Sequence, residues 1–228
     1  MAKYNVSKKF RHSGALSQKA IDVMRMFGVT KDRLDKIDFR CRCDVEINTG
    51  DVIYVTGPSG SGKTVLLNLL REKIPAEKRC DIEQVKLSGN RRVIDCIGGD
   101  IITSLKYLCK AGLGDLPAMV AKTGSLSEGQ KWRFRLAMGL ASNKKFIFAD
   151  EFCSNLDRVT AATIAYNVRK FADRYKTTFI LASTHGDILR DLAPDAIITR
   201  DLSGNTEVTY KYRKRLSFNG CDARQVKR

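Results

Sequence analysis

Apolar positions along this chain recur at two spacings, and these predict strands alternating with helices. Residues 18–27 place Ala20, Ile21, Val23, Met24 and Met26 at helical intervals, with Gly28 set to end the helix. Residues 37–47 alternate loosely, as a strand does, and 48–51 form the turn behind them. Residues 52–56 are a short β-branched run entering a glycine-rich stretch, and 65–72 read as the helix leaving it. The segment 85–97 suggests one or two short strands around a turn at 88–90, and 101–110 and 116–122 look helical across the break at 111–114. Beyond them the pattern predicts a helix from Ser127 to about Ala141 and a buried strand at 146–149. A long amphipathic helix at 159–175, a strand at 177–182, a short helix at 188–192 and a strand at 196–199 follow. Strands alternating with helices imply an α/β fold whose mostly parallel sheet is flanked by helices.

The two ends lack this pattern. Residues 1–17 are polar and basic and read as a loose arm, while from Leu202 the chain is turn-rich and ends in Lys211, Arg213, Lys214, Arg215, Arg224, Lys227 and Arg228. The expected organisation is therefore a basic arm and helix at 1–30, one α/β domain at 31–203, and a basic tail at 204–228.

Composition adds three points. Hydrophobic residues at 43% and charged residues at 29% over 228 positions suit a globular domain and exclude disorder for most of the length. Forty-one Lys and Arg against 25 Asp and Glu leave a net charge of +16, which attracts polyanions and makes nucleic acid, met through the basic termini, a candidate partner. Seven scattered cysteines are an odd number and favour a reducing compartment; Cys41 and Cys43 read as alternating side chains of one strand rather than as metal ligands. No apolar run approaches the roughly 20 residues that span a bilayer. The basic start has no apolar segment behind it, so a cytoplasmic protein without membrane insertion of its own is expected.

Gly57-Pro58-Ser59-Gly60-Ser61-Gly62-Lys63-Thr64 fits the phosphate-loop pattern G-x-x-x-x-G-K-[ST] in full, between an apolar strand and a helix. Glycines let successive N–H groups wrap phosphate oxygens at the positive end of a helix. Lys63 would reach the β- and γ-phosphates of a nucleotide and the Thr64 hydroxyl would ligate Mg²⁺, so ATP and Mg²⁺ are the expected ligands. Residues 144–151 read as a buried strand ending in Asp150 and Glu151; beside the loop, Asp150 would hold Mg²⁺ and Glu151 would polarise the attacking water. Leu126-Ser127-Glu128-Gly129-Gln130 is a helix start in which Ser127 caps and Gln130 completes a capping box.

The order of these pieces resembles the ABC-type ATPases. Ser127-Glu128-Gly129-Gln130 lies between the phosphate loop and the acidic strand, as that family's signature does. Ser154-Asn155-Leu156-Asp157 is similar to its D-loop, and Ser183-Thr184-His185 to its switch histidine; the likeness covers about residues 44 to 199. It implies a P-loop fold with a short α-helical insert, and ATP sandwiched between the phosphate loop of one copy and Ser127, Gly129 and Gln130 of another. ATP-dependent homodimerisation follows from it, with Glu151 as general base, His185 on the γ-phosphate and Asp157 signalling across the dimer.

Two departures bear on the branch. Transporter subunits carry a glutamine after the strand behind the phosphate-loop helix; here Asp95 or Cys96 stands at the expected place, with Asp95 a further candidate for Mg²⁺, and Gln84 falls too early. Phe152 stands where those subunits have proline, and residues 126–194 look like soluble cassettes fused to an acetyltransferase domain. A soluble ATPase acting on nucleic acid or a protein complex is the expectation, and the ATP-binding subunit of a membrane transporter is the alternative. Phe27 and Phe39 are the candidates to stack on adenine, and His12 is assigned nothing.

Overall fold

The computed structural model describes residues 2–10, 16–30 and 39–210. In it β1 (Ala2–Phe10) pairs antiparallel with β2 (Phe39–Ile47), Ala2 opposite Ile47 and Val6 opposite Cys43. A second sheet holds β3 (Val52–Thr56), β4 (Arg79–Asp81), β5 (Phe146–Ala149), β6 (Thr178–Ala182), β7 (Ala196–Arg200) and β8 (Thr206–Tyr210). Its order is β4-β5-β6-β3-β7-β8, parallel throughout except for β8, which runs antiparallel at the edge.

The central strand explains its own composition. Side chains alternate across a strand, and both faces of β3 are covered. Val52 and Tyr54 enter one core, with α3 (Ile101–Lys110), α5 (Glu128–Ala141) and α6 (Arg158–Tyr175); Ile53 and Val55 enter the other. That second core lies between the sheet, α2 (Lys63–Glu72) and the β1–β2 ribbon, where Cys41 and Cys43 sit buried on one face of β2. The remaining helices are α1 (Gln18–Met26), α4 (Leu116–Val120) and α7 (Leu189–Leu192). In α6 the buried residues Ala161, Ile164, Ala165, Val168, Phe171 and Ala172 make one stripe at helical spacing. Burying each of its larger members stabilises the fold by about 1.5–3 kcal/mol.

Three expectations change. Residues 2–10 are a paired strand rather than a loose arm, and β8 extends the main sheet where a tail was expected, so both ends of the described chain join the central domain. Their signals are faint because pairing comes from distant segments, and among the described side chains of β1 Val6 is the buried one. Residues 85–97 form no strand: Arg92 makes a lone bridge to Lys122, and Ile94–Cys96 is a 3₁₀ turn. Val93 and Ile97 are buried from irregular backbone, which mimics a strand's composition. The strand of this region is β4, with no apolar run of its own. His12 and the basic residues beyond 210 lie outside the described residues.

Candidate functional site

The site gathers at the C-terminal ends of β3, β5 and β6. β3 runs into the phosphate loop, which packs hard against β7: a Cβ on Gly57 would sit 2.2 Å from the Arg200 carbonyl oxygen, and Gly57 adopts φ +145°. Only glycine fits there. Lys63 Nζ donates to the carbonyls of Gly57 and Pro58, each at 2.9 Å, so the ammonium lies curled over its own loop. Desolvation lowers the Lys63 pKa, against the pull of Asp150 and Glu151.

Strand β5 delivers Asp150 beside that loop. The Thr64 hydroxyl donates to Asp150 Oδ2 at 2.5 Å, and Asp150 Oδ1 accepts from the Glu151 N–H at 3.0 Å. Glu151 takes φ +45° and Cys153 φ +60°, an uncommon left-handed pair for non-glycine residues and a form of strain that collects at functional sites. The loop after β6 supplies the third wall. The fully buried Tyr54 donates its hydroxyl to the His185 carbonyl, and His185 N–H donates to Ser183 Oγ at 3.3 Å. Burial pushes the Tyr54 phenol up to about 12, keeping it a donor. Between these walls lies a cleft of about 490 Å³ lined by Gly60, Lys63, Thr64, Asp150, Glu151 and Ser183, among others. Thr184 lines it too, while His185 follows exposed on the same loop.

Several expected residues lie elsewhere. Ser127, Gly129 and Gln130 do not line this cleft. Ser127 Oγ accepts from Gln130 N–H at 3.3 Å and Gln130 Oε1 accepts from Ser127 N–H at 3.0 Å, so the Gln130 side chain is committed to the capping box. Asp157 caps α6, its carboxylate accepting from Thr160 N–H at 2.9 Å; the Thr160 hydrogen bonds hold its pKa below the usual range. Asp95 sits on the 3₁₀ turn, away from the cleft lining. The strand behind the phosphate-loop helix is β4, so Gln84, expected to fall too early, is the glutamine that follows it, and Glu83 beside it is a residue the sequence reading missed. β4 ends at Asp81 alongside β5, so Glu83 arrives opposite Asp150 and its Oε1 accepts from Asp150 N–H at 2.9 Å. Glu83 opens to solvent on one side, yet enclosure on the others pushes its carboxyl up to about 7. Phe27 is exposed at the end of α1, and Phe39 opens β2.

No protein-family model matches the chain. It is 25% identical over 218 residues to an uncharacterized ABC transporter ATP-binding protein of Mycobacterium tuberculosis, covering 83% of this chain. The chain spans only 31% of that relative's length. It is also 25% identical over 218 residues to the lipoprotein-releasing system ATP-binding protein LolD of Cytophaga hutchinsonii, covering 80% of this chain and 96% of the relative. Its structure is similar to a dimeric ATP-binding cassette in a post-hydrolysis state with ADP and phosphate: TM-score 0.65 and 18% identity, over 92% of this chain and 99% of that one. The chain has the fold of an ATP-binding cassette nucleotide-binding domain. Cassettes of this class are ATPases.

Phe152, where a proline was expected of a transporter subunit, is part of the core. Phe152 is fully buried and packs edge-on against Trp132 of α5, ring centres 5.7 Å apart at 65°. No helix among the described residues of the cassette is long and apolar enough to cross a membrane.

Proposed function

We propose that this cassette binds Mg-ATP along residues 57–64 and hydrolyses it at the interface of a dimer, Ser127 and Gly129 of a second copy closing over the nucleotide. The observation that carries the reading is the convergence of Thr64 and Asp150 at 2.5 Å beside Glu151, while the capped start of α5 lies off the same cleft. A hydroxyl and a carboxylate facing one another are the hard oxygen donors that Mg²⁺ takes. Bound there, Mg²⁺ would neutralise phosphate charge. Lys63 leaves the Gly57 and Pro58 carbonyls for the phosphate oxygens. Glu151 accepts a proton from a water whose oxygen bonds to the γ-phosphorus as the bond to the β-phosphate bridging oxygen breaks, giving ADP and inorganic phosphate. His185 orients that water, and Asp157 meets the second copy.

Replacing Glu151 by Gln keeps the nucleotide contacts and removes the proton acceptor. With ATP the variant should run as a stable dimer in size-exclusion chromatography with light scattering. A monomer under saturating Mg-ATP would refute the sandwich.

We further read the cassette as a soluble ATPase, resembling the group found fused to acetyltransferase domains and acting on nucleic acid or a protein complex. The +16 charge and Phe152 in place of a proline support this. A transporter subunit is the second reading: exposed Ile101, Ile102, Leu116 and Val120 on the helical insert suit a protein partner, and relatives carry transport names. ATPase rates with and without DNA or RNA, at low and moderate salt, separate the two. Salt-sensitive stimulation supports the first, and indifference supports the second.

A further inference from the structure

Arg200 is the largest fully buried side chain among the described residues, 0% exposed at the end of β7, and no role described above uses it. Its Nε donates to the Ser61 carbonyl at 2.8 Å, and its Nη1 donates to Thr206 Oγ1 and to Cys41 Sγ, each at 2.9 Å. One guanidinium thus ties the middle of the phosphate loop to β8 and to the β1–β2 ribbon. Its backbone acts on the same loop, since the Arg200 carbonyl is what denies Gly57 a side chain.

The orientation has a consequence for the cleft. A trans peptide points its carbonyl and the following N–H in opposite directions, and the described chain has no cis bonds. Holding the Ser61 carbonyl down on Arg200 therefore turns the Gly62 N–H away from the protein interior. Ser61 is fully buried, whereas Gly62 lines the cleft. Backbone N–H groups aimed outward at a helix start are what grip phosphate.

We infer that Arg200 is a positioning residue for nucleotide binding, setting the phosphate loop in its binding shape through the Ser61 carbonyl. This rests on the nucleotide-site reading above. It acts on ground-state binding of any nucleotide carrying the corresponding phosphates, ADP as well as ATP, and leaves the hydrolytic groups in place.

The test compares the full chain with Arg200→Met, Arg200→Lys and Lys63→Ala, measuring thermal unfolding, binding of fluorescent ATP and ADP analogues, and kcat and KM for Mg-ATP. Arg200→Met should raise KM and both dissociation constants about tenfold, with kcat at saturating ATP within about threefold of the parent. Arg200→Lys keeps the charge and one donor, so its rise should be about threefold. A folded Arg200→Met that loses thermal stability but binds both analogues within about twofold of the parent overturns the inference, because a merely structural arginine would do that. Should Arg200→Met fail to fold, Arg200→Lys decides, and an unchanged KM overturns it. Lys63→Ala should bind neither analogue; if it binds them normally, the nucleotide-site reading itself is wrong, independently of Arg200.

Discussion

Thr64 and Asp150 meet across the cleft, the hydroxyl donating to the carboxylate at 2.5 Å although 86 residues separate them in sequence. The contact links the start of α2 to the end of β5 and sets two oxygen donors where Mg²⁺ would be shared. Thr64→Val keeps the shape of the side chain and removes its oxygen. Mg-dependent ATP turnover should fall about 10²-fold, the scale of losing one preorganised electrostatic contact. Thermal stability should change little. Steady-state turnover across a Mg²⁺ titration checks this, and a parental rate at low Mg²⁺ would remove Thr64 from the metal site.

Tyr54 reaches across the first core to hold the loop that carries His185. Tyr54→Phe leaves the ring and takes away the hydroxyl. We expect about 1 kcal/mol lower stability in urea unfolding. A looser His185 should also lower kcat several-fold without moving KM. If both kinetic constants stayed parental, the Tyr54 bond would be structural only.

Glu83 gives a pH signature. Its pKa of about 7 in the fold stands above the ordinary glutamate value of 4.5, so the protonated form is the one the fold favours. Whatever stability this contributes is complete below pH 4.5 and is lost as pH rises through about 7. Glu83→Gln is neutral at every pH and escapes that loss. Without Mg²⁺, its melting temperature should exceed the parent's at pH 8, and the gap should narrow on going down to pH 5. A gap independent of pH would mean that Glu83 titrates like an exposed carboxylate.

The phosphate loop and the acidic pair were legible because each sits on one short strand and its adjoining turn, where local pattern decides the structure. Glu83 was not, because β4 is Arg79-Cys80-Asp81: pairing with β5 makes it a strand, and no apolar run announces it. β1 escaped notice for the same reason, its register being set by residues 39–47 across the ribbon. Arg200 falls just past the strand expected at 196–199. Only the fold brings Ser61, Cys41 and Thr206 around it.

Phe152 fills space beside Trp132 and the end of β6, to which its N–H donates at the Ala182 carbonyl, 2.8 Å away. Phe152→Ala opens a cavity directly behind Glu151 and should cost about 3–5 kcal/mol, read as a lower urea midpoint. A cost under about 1 kcal/mol would show that neighbouring side chains collapse into the space.

Asp157 has one demonstrable task and one proposed. Its carboxylate caps α6 through Thr160, and capping alone predicts that Asp157→Ala costs about 1 kcal/mol while Asp157→Ser costs far less. Contact with a second copy predicts something a cap does not. Both substitutions remove the carboxylate, so both should weaken ATP-dependent dimerisation to a similar extent, whatever their stability. Introducing each change into the Glu151→Gln background and measuring the dimer dissociation constant with ATP separates the tasks. Dimerisation that follows stability, with Ser behaving like the parent and Ala impaired, would leave Asp157 as a helix cap. Equal weakening in both variants would place its carboxylate at the dimer interface.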